Sequence, residues 1–174
     1  MGTNKGKSRL EKRSPDMKRP KIRFSVIMLI MMFLVLAVKG QDAQNTNNFY
    51  NTDKSGAIIG GYDVVSYLID TPTKGKKELT SEYMGIDYWF SSKENQKIFE
   101  KDPSKFVPAY GGWCAYAMGD SGQMVKIDPE TYKIIDGKLY LFYNFYFNNT
   151  LIGWNKDENN LKEKANQNWQ KITH

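Results

Sequence analysis

Residues 83–112 read "YMGIDYWFSSKENQKIFEKDPSKFVPAYGG", and the fold turns on how this stretch is read. Ile86, Tyr88 and Phe90 share one face of a strand, and Met84-Gly85 lies where that strand would turn back onto "KGKKELTSEY". The pattern then changes period. Ser91 with Glu94 three residues on has the spacing of a capping box, and Asp102-Pro103 ends the helix, with Ile98 and Phe99 expected to face the core. A second short helix is expected from Pro103, with Phe106 and Val107 inward, reaching a corner at Gly111-Gly112.

Working outward, "AIIGGYDVVSYL" (57–68) is an apolar run with paired glycines, where packed order is expected to begin. "TYKIIDGKLYLFY" (131–143) reads as a hairpin, because Asp136-Gly137 is a favoured two-residue type I′ turn between alternating apolar strands. "NFYFNNTLIGWNKD" (144–157) reads as irregular or as a helical turn. "DENNLKEKANQNWQKI" (157–172) fits an amphipathic helix capped by Asp157, with Leu161, Ala165, Trp169 and Ile172 on one stripe. Strands and helices mix without a βαβ rhythm. The expected class is α+β: a small single domain of short antiparallel strands, a DG hairpin and several short helices.

The N-terminal region has a different character. "FSVIMLIMMFLVLAV" runs from Phe24 to Val38 with only Ser25 polar, and a basic stretch precedes it. Basic leader, short apolar run and small residues after it read as a signal peptide over 1–40, cleaved before Gln41. An uncleaved signal anchor, a transmembrane helix over residues 24–38, is the alternative; a permanent span usually has about 20 apolar residues. Met17 is a candidate start, because "MKRPKIR" is an ordinary basic n-region. Residues 41–55 are rich in Asn, Gln, Thr and Asp and read as a flexible tether, leaving 56–174 as the domain. The expected location is therefore exported, periplasmic or extracellular, with membrane contact only through an uncleaved leader.

Charge excludes one class of partner. The chain has a formal net charge of +6, but ten of its 25 Lys/Arg, including all four arginines, precede residue 41 against two acidic residues. Residues 41–174 hold 15 basic and 17 acidic residues. A nucleic-acid reader needs a basic patch on the domain itself, and this composition does not supply one. One cysteine means no internal disulfide, so the core must hold the fold in an oxidising compartment.

The quoted residues resemble the YHS domain, whose members read Tyr-x-Gly-x-x-Tyr-(aromatic)-Phe-x-Ser, then a helix, then Phe-x-x-x-Pro-x-x-(aromatic). Tyr83, Gly85, Tyr88, Trp89, Phe90, Ser92, Phe99, Pro103 and Phe106 fill those places. "GYDVVSY", "YGGWCAYAMG", "DGKLYLFYN" and "ANQNW" are similar to exported single-domain YHS proteins of bacteria, over roughly residues 58–170. The resemblance implies metal handling, since YHS domains accompany copper-transporting pumps and several relatives carry metal-ligand cysteines around the short helix. Here the first of those cysteine positions, and the histidine that names the family, fall on Ser91, and the second cysteine position on Asn95. The relatives' ligands are therefore not carried over.

The chain's own candidates are few. Cys114 and Met118 are soft donors one helical turn apart, the ligand chemistry Cu(I) prefers, with Asp63 as a third candidate ligand. The plainer reading of Cys114 is a buried apolar residue behind Trp113 and Tyr116, and that of Asp63 a helix cap. Catalysis by Cys114 would need a base, and the single histidine, His174, closes the chain, so no enzyme is expected. Tyr62, Tyr67, Trp113 and Tyr116 are candidate ligand-binding aromatics. Phe145, Tyr146 and Phe147 cannot all face inward at a period of two, so an aromatic groove or protein contact is expected. The leading expectation is an exported binding protein for copper or another soft metal. The alternative is a small-ligand or protein-interaction module using aromatic residues.

Overall fold

The computed structural model describes residues 1–2, 47–69 and 71–174; the signal segment, its alternative anchor and the first part of the tether lie outside the described residues. Among the described residues no helix is long and apolar enough to cross a membrane. The domain is α+β as expected. α1 (Ser66–Ile69) leads into the antiparallel hairpin of β1 (Lys76–Tyr83) and β2 (Ile86–Phe90). α2 (Lys93–Lys101), α3 (Pro103–Phe106) and a 3-10 corner at Ala109–Gly112 follow, then α4 (Ala115–Asp120). β3 (Asp128–Ile135) and β4 (Lys138–Phe142) form a second hairpin, and β5 (Asn144–Phe145) with β6 (Asn148–Asn149) a third. α5 (Thr150–Lys156) and α6 (Glu158–Thr173) close the chain.

β4 divides the interior in two. Its side chains alternate across the strand, so Leu139 and Leu141 join a first core with Ile58, Val65, Tyr88, Phe90 and Phe99. Tyr140 and Phe142 join a second with Met118, Trp154, Leu161 and Ala165. The first core is centred on Phe99, whose ring lies 4.6 Å from Tyr88, 5.0 Å from Phe90 and 6.1 Å from Phe106. In the second, α4 packs directly on α6. Gly119 permits that approach, because a Cβ there would sit 2.5 Å from the Leu161 carbonyl oxygen.

Several local expectations need correction. The helix after β2 is capped by Ser92, whose Oγ accepts from Asn95 N at 3.1 Å, and not by Ser91, which faces Asp63 instead. Ile98 is 38% exposed while Phe99 is buried, because only one of two adjacent helical residues can face the β1–β2 hairpin. Asp157 stands at the N-cap of α6, but its carboxylate accepts from the Asn160 side chain at 2.6 Å rather than from a backbone amide. Residues 49–52, assigned to a loose tether by composition, are bonded to the domain: Asn51 N donates to Gly111 O at 2.8 Å and Asn51 Nδ2 to Gly112 O at 2.9 Å. The "NFYFNN" stretch forms a third hairpin rather than irregular chain. Its turn at Tyr146-Phe147 has φ of 53° and 63°, matching Met84-Gly85 (54°, 74°) and Asp136-Gly137 (52°, 73°).

Candidate functional site

Asp63 is 0% exposed, and its carboxylate sits at the centre of a knot of donors. Oδ1 accepts from Val65 N at 2.9 Å and Ser66 N at 3.4 Å, which is the expected capping of the turn into α1. Oδ2 accepts three more: Ser91 N at 2.8 Å, Ser91 Oγ at 2.7 Å and Asn95 Nδ2 at 2.7 Å. Ser91 and Asn95 are the positions where metal-binding relatives would place cysteine or histidine. Here both point protons inward at a fixed anion, the reverse of thiolates around a cation. A carboxylate holding five donors has little capacity left for a metal, and hydroxyl and amide groups are poor ligands for a soft one. The residues present at this place do not fit copper.

The sulfur of Cys114 is buried elsewhere. It accepts from Tyr143 N at 3.4 Å and lies 3.5 Å from Thr150 Oγ. Met118 N donates to Cys114 O at 3.0 Å, as one helical turn requires, yet the two side chains belong to different cores. No hydrogen bond joins any two of the Cys114, Met118 and Asp63 side chains. Among the described residues no group of three or more His, Cys, Asp or Glu side chains is arranged to hold a metal ion.

The four aromatic candidates are dispersed. Tyr62 and Tyr67 both reach the start of β3: Tyr62 OH donates to Glu130 Oε1 at 3.3 Å, and Tyr67 OH to Pro129 O at 2.7 Å. Trp113 Nε1 donates to Phe49 O at 2.9 Å. Tyr116 packs against Gly153, where a Cβ would meet its ring at 2.7 Å. These aromatics fasten loops and helices to one another.

An aromatic cleft does exist, built mostly from other residues. Tyr50, Tyr110, Tyr140 and Trp169 line a cavity of ≈ 270 Å³, with Lys138 and Asn166 supplying polar groups. Tyr110 is the pivot. Its ring stands edge-on to Tyr140 at 5.8 Å and to Trp169 at 6.3 Å, and its hydroxyl donates to Asn166 Oδ1 at 3.0 Å. The backbone is strained to achieve this: Tyr110 has φ 52°, in the left-handed region that bulky residues avoid. Gly111 follows at φ 60°, where a Cβ would lie 2.5 Å from Phe49 O and 3.0 Å from the Trp169 ring. Such strain persists where surrounding structure enforces it, and it clusters at binding sites.

Lys138 enters the cleft at the first residue of β4. Burial pulls its ammonium below the usual lysine range, and among the described residues no carboxylate pairs with it. Burial also pushes the Tyr110 hydroxyl up, with neighbouring Tyr140 adding to the effect, so Tyr110 remains a neutral donor at physiological pH. In sequence Trp169 belongs to the apolar stripe of the last helix, and nothing local marks Tyr110 or Tyr140 as cleft residues. Tyr50, Lys138 and Asn166 come together only through tertiary contacts. A lysine directly after a DG turn and opening an apolar strand was the one local signal.

No curated protein and no solved structure matches the chain. One family does. Its matched segment begins at the end of α1, includes the β1–β2 hairpin, α2 and α3, and stops at the residue on which the cleft pivots. Residues 69–110 match the family model of the YHS domain.

Proposed function

We propose that this chain is an exported, non-enzymatic binding domain whose YHS fold presents an aromatic cleft to a small planar anion. The observation that carries the reading is the company Lys138 keeps. A half-buried ammonium that pairs with no carboxylate among the described residues stands beside Tyr50, Tyr110, Tyr140 and Trp169, with the Asn166 amide at the same cleft. Aromatic walls favour a flat ring, and the ammonium favours a carboxylate or similar anion on that ring. At ≈ 270 Å³ the cavity suits one ring with its substituent, below the usual range for drug-sized ligands. The basic leader with its apolar run supports export, and the absence of a base near Cys114 in sequence supports binding rather than catalysis.

The test compares an aromatic acid with its neutral twin. Indole-3-carboxylate and indole-3-carboxamide are titrated into the purified chain by calorimetry, beside Lys138→Met and Trp169→Leu. Preference for the carboxylate of about tenfold is expected, corresponding to ~1.4 kcal/mol for one partly desolvated charge pair. Lys138→Met removes the preference, and Trp169→Leu weakens both ligands. Absence of binding by either compound would overturn the reading. Copper is decided on the same preparation: an anaerobic Cu(I) titration is expected to match that of Cys114→Ser, and a stoichiometric site lost in the variant would favour a soft metal instead.

A further inference from the structure

The three tight hairpins of this domain invite comparison. Each closes with a two-residue turn in which both residues have positive φ, the type I′ geometry that favours Asn, Asp and Gly. Two of them place Gly at the second position, Gly85 and Gly137. The third places Tyr146 and Phe147, two bulky aromatics, in the left-handed region. Their side chains do not stabilise the fold in return: Tyr146 is 91% exposed and Phe147 109%. Phe145 beside them is 42% exposed and Ile152, in the first turn of α5, 59%.

The base beneath this tip is firmly held. Thr150 N and Oγ both donate to Tyr143 O, at 3.0 and 2.9 Å, and the Asn149 side chain caps α5 by accepting from Leu151 N at 3.0 Å. The Tyr143 ring braces Phe145 edge-on at 5.1 Å. From Leu139 to Asn155 the sequence contains no charged residue. A rigid, uncharged hairpin thus holds an aromatic pair out in water at a backbone conformation that disfavours it.

We infer that the Phe145–Phe147 tip, with Ile152 beside it, inserts into the headgroup–acyl boundary of a lipid bilayer. Tyr and Phe rings suit that boundary, where an apolar body meets a wet edge. The exposed parts of the four side chains offer roughly 500–600 Å², short of the ~800 Å² per partner of a standard protein interface. A bilayer needs no complementary pocket. The sequence also supplies proximity: only eight residues separate Val38, the end of the apolar leader run, from Asn47. In the alternative in which the leader is not cleaved, this short connection ties the domain to the membrane.

The full chain is reconstituted into vesicles of phosphatidylcholine and phosphatidylglycerol, with a nitroxide at Asn148→Cys in a Cys114→Ala background. Collisional relaxation then compares dissolved oxygen with a water-soluble nickel chelate. With the tip intact, the label is expected to be shielded from nickel and accessible to oxygen. Tyr146→Asn/Phe147→Gly, which gives the turn its preferred residues, is expected to return the label to water while Tm stays level or rises. Phe147→Gly alone guards against a folding defect in the double variant and is expected to shift the same way by a smaller amount. A label equally open to nickel in both tips, or equally shielded in both, would overturn the inference. So would a change of oligomeric state on tip replacement without a change in lipid contact, which would assign the tip to a second copy of the chain.

Discussion

Replacing Asp63 tests how much of the fold depends on one buried anion. Asp63→Ala leaves Ser91 N, Ser91 Oγ, Asn95 Nδ2 and Val65 N without the acceptor they now share at 2.7 to 2.9 Å. A hydrogen bond to a charged group contributes about 1.5–3 kcal/mol, so the gross loss is large. Two effects reduce it. The desolvation cost of the carboxylate, several kcal/mol, disappears with the charge, and water can enter the polar space left behind. Each buried neutral donor left without an acceptor costs about 1–3 kcal/mol where water does not reach it, and a net loss of ~3–4 kcal/mol is the value expected here. At roughly 4 °C per kcal/mol for a domain of this size, Tm falls by ~10–15 °C. Asp63→Asn keeps the shape but offers a single acceptor oxygen, so its amide nitrogen must face either Val65 N–H or the Ser91 and Asn95 donors. A loss of ~2–3 kcal/mol is expected. The assay is urea unfolding followed by tryptophan fluorescence, with Asn95→Ala and the double variant completing a cycle. The expected Asp63–Asn95 coupling is ~1–2 kcal/mol. An Asp63→Ala chain within ~1 kcal/mol of the parent, or additive losses in the cycle, would refute the reasoning.

Other expectations follow from single contacts. The Tyr88 hydroxyl is buried with no hydrogen-bond partner among the described residues, so Tyr88→Phe should raise stability by ~1 kcal/mol in the same urea assay. Gly119→Ala places a Cβ 2.5 Å from Leu161 O, which belongs to backbone and not to a side chain that can swing away; a loss of at least ~2 kcal/mol by thermal denaturation is expected. Glu158 is held below the usual carboxylate range by its hydrogen bond to the Lys133 ammonium, with Trp154 Nε1 also donating at 3.1 Å. Its contribution is complete above the unfolded value of 4.5 and is lost as pH falls through the lower folded value. Urea midpoints measured from pH 6 down to pH 3 should therefore decline less in Glu158→Gln than in the parent.

Much of the architecture was legible from local signals. Alternation gave β2, the Asp136-Gly137 pair gave the β3–β4 turn, and an apolar stripe gave α6, because these depend on period and turn chemistry within a few residues. The motif around Tyr83–Phe106 led to the YHS domain for the same reason. What failed was assignment between near neighbours: Ser91 against Ser92 as cap, Ile98 against Phe99 as core. Each choice is settled by what packs above the helix, in this case Asp63 and the β1–β2 hairpin.

The candidate site was less legible, and the cause is topological. The cleft draws Tyr50, Tyr110, Lys138 and Trp169 from four distant points of the chain, and no spacing rule connects them. Asp63 stands out in sequence as a candidate ligand or helix cap, and the cap is there, yet its partners Ser91 and Asn95 lie 28 and 32 residues away. The aromatic run at Phe145–Phe147 was anomalous already in sequence. The turn that exposes all three was not, because Tyr-Phe is among the last pairs turn chemistry would choose.

The most direct test of the aromatic cleft is a ligand-perturbation map. Amide and indole resonances of the isotopically labelled chain are followed while indole-3-carboxylate is added. The account predicts shifts concentrated at Tyr50, Tyr110, Gly111, Lys138, Asn166 and the Trp169 indole N–H, and in the Lys138→Met chain the remaining shifts saturate only at about tenfold more ligand. No saturable shifts there, or a perturbation centred on Cys114 and Thr150, would contradict it.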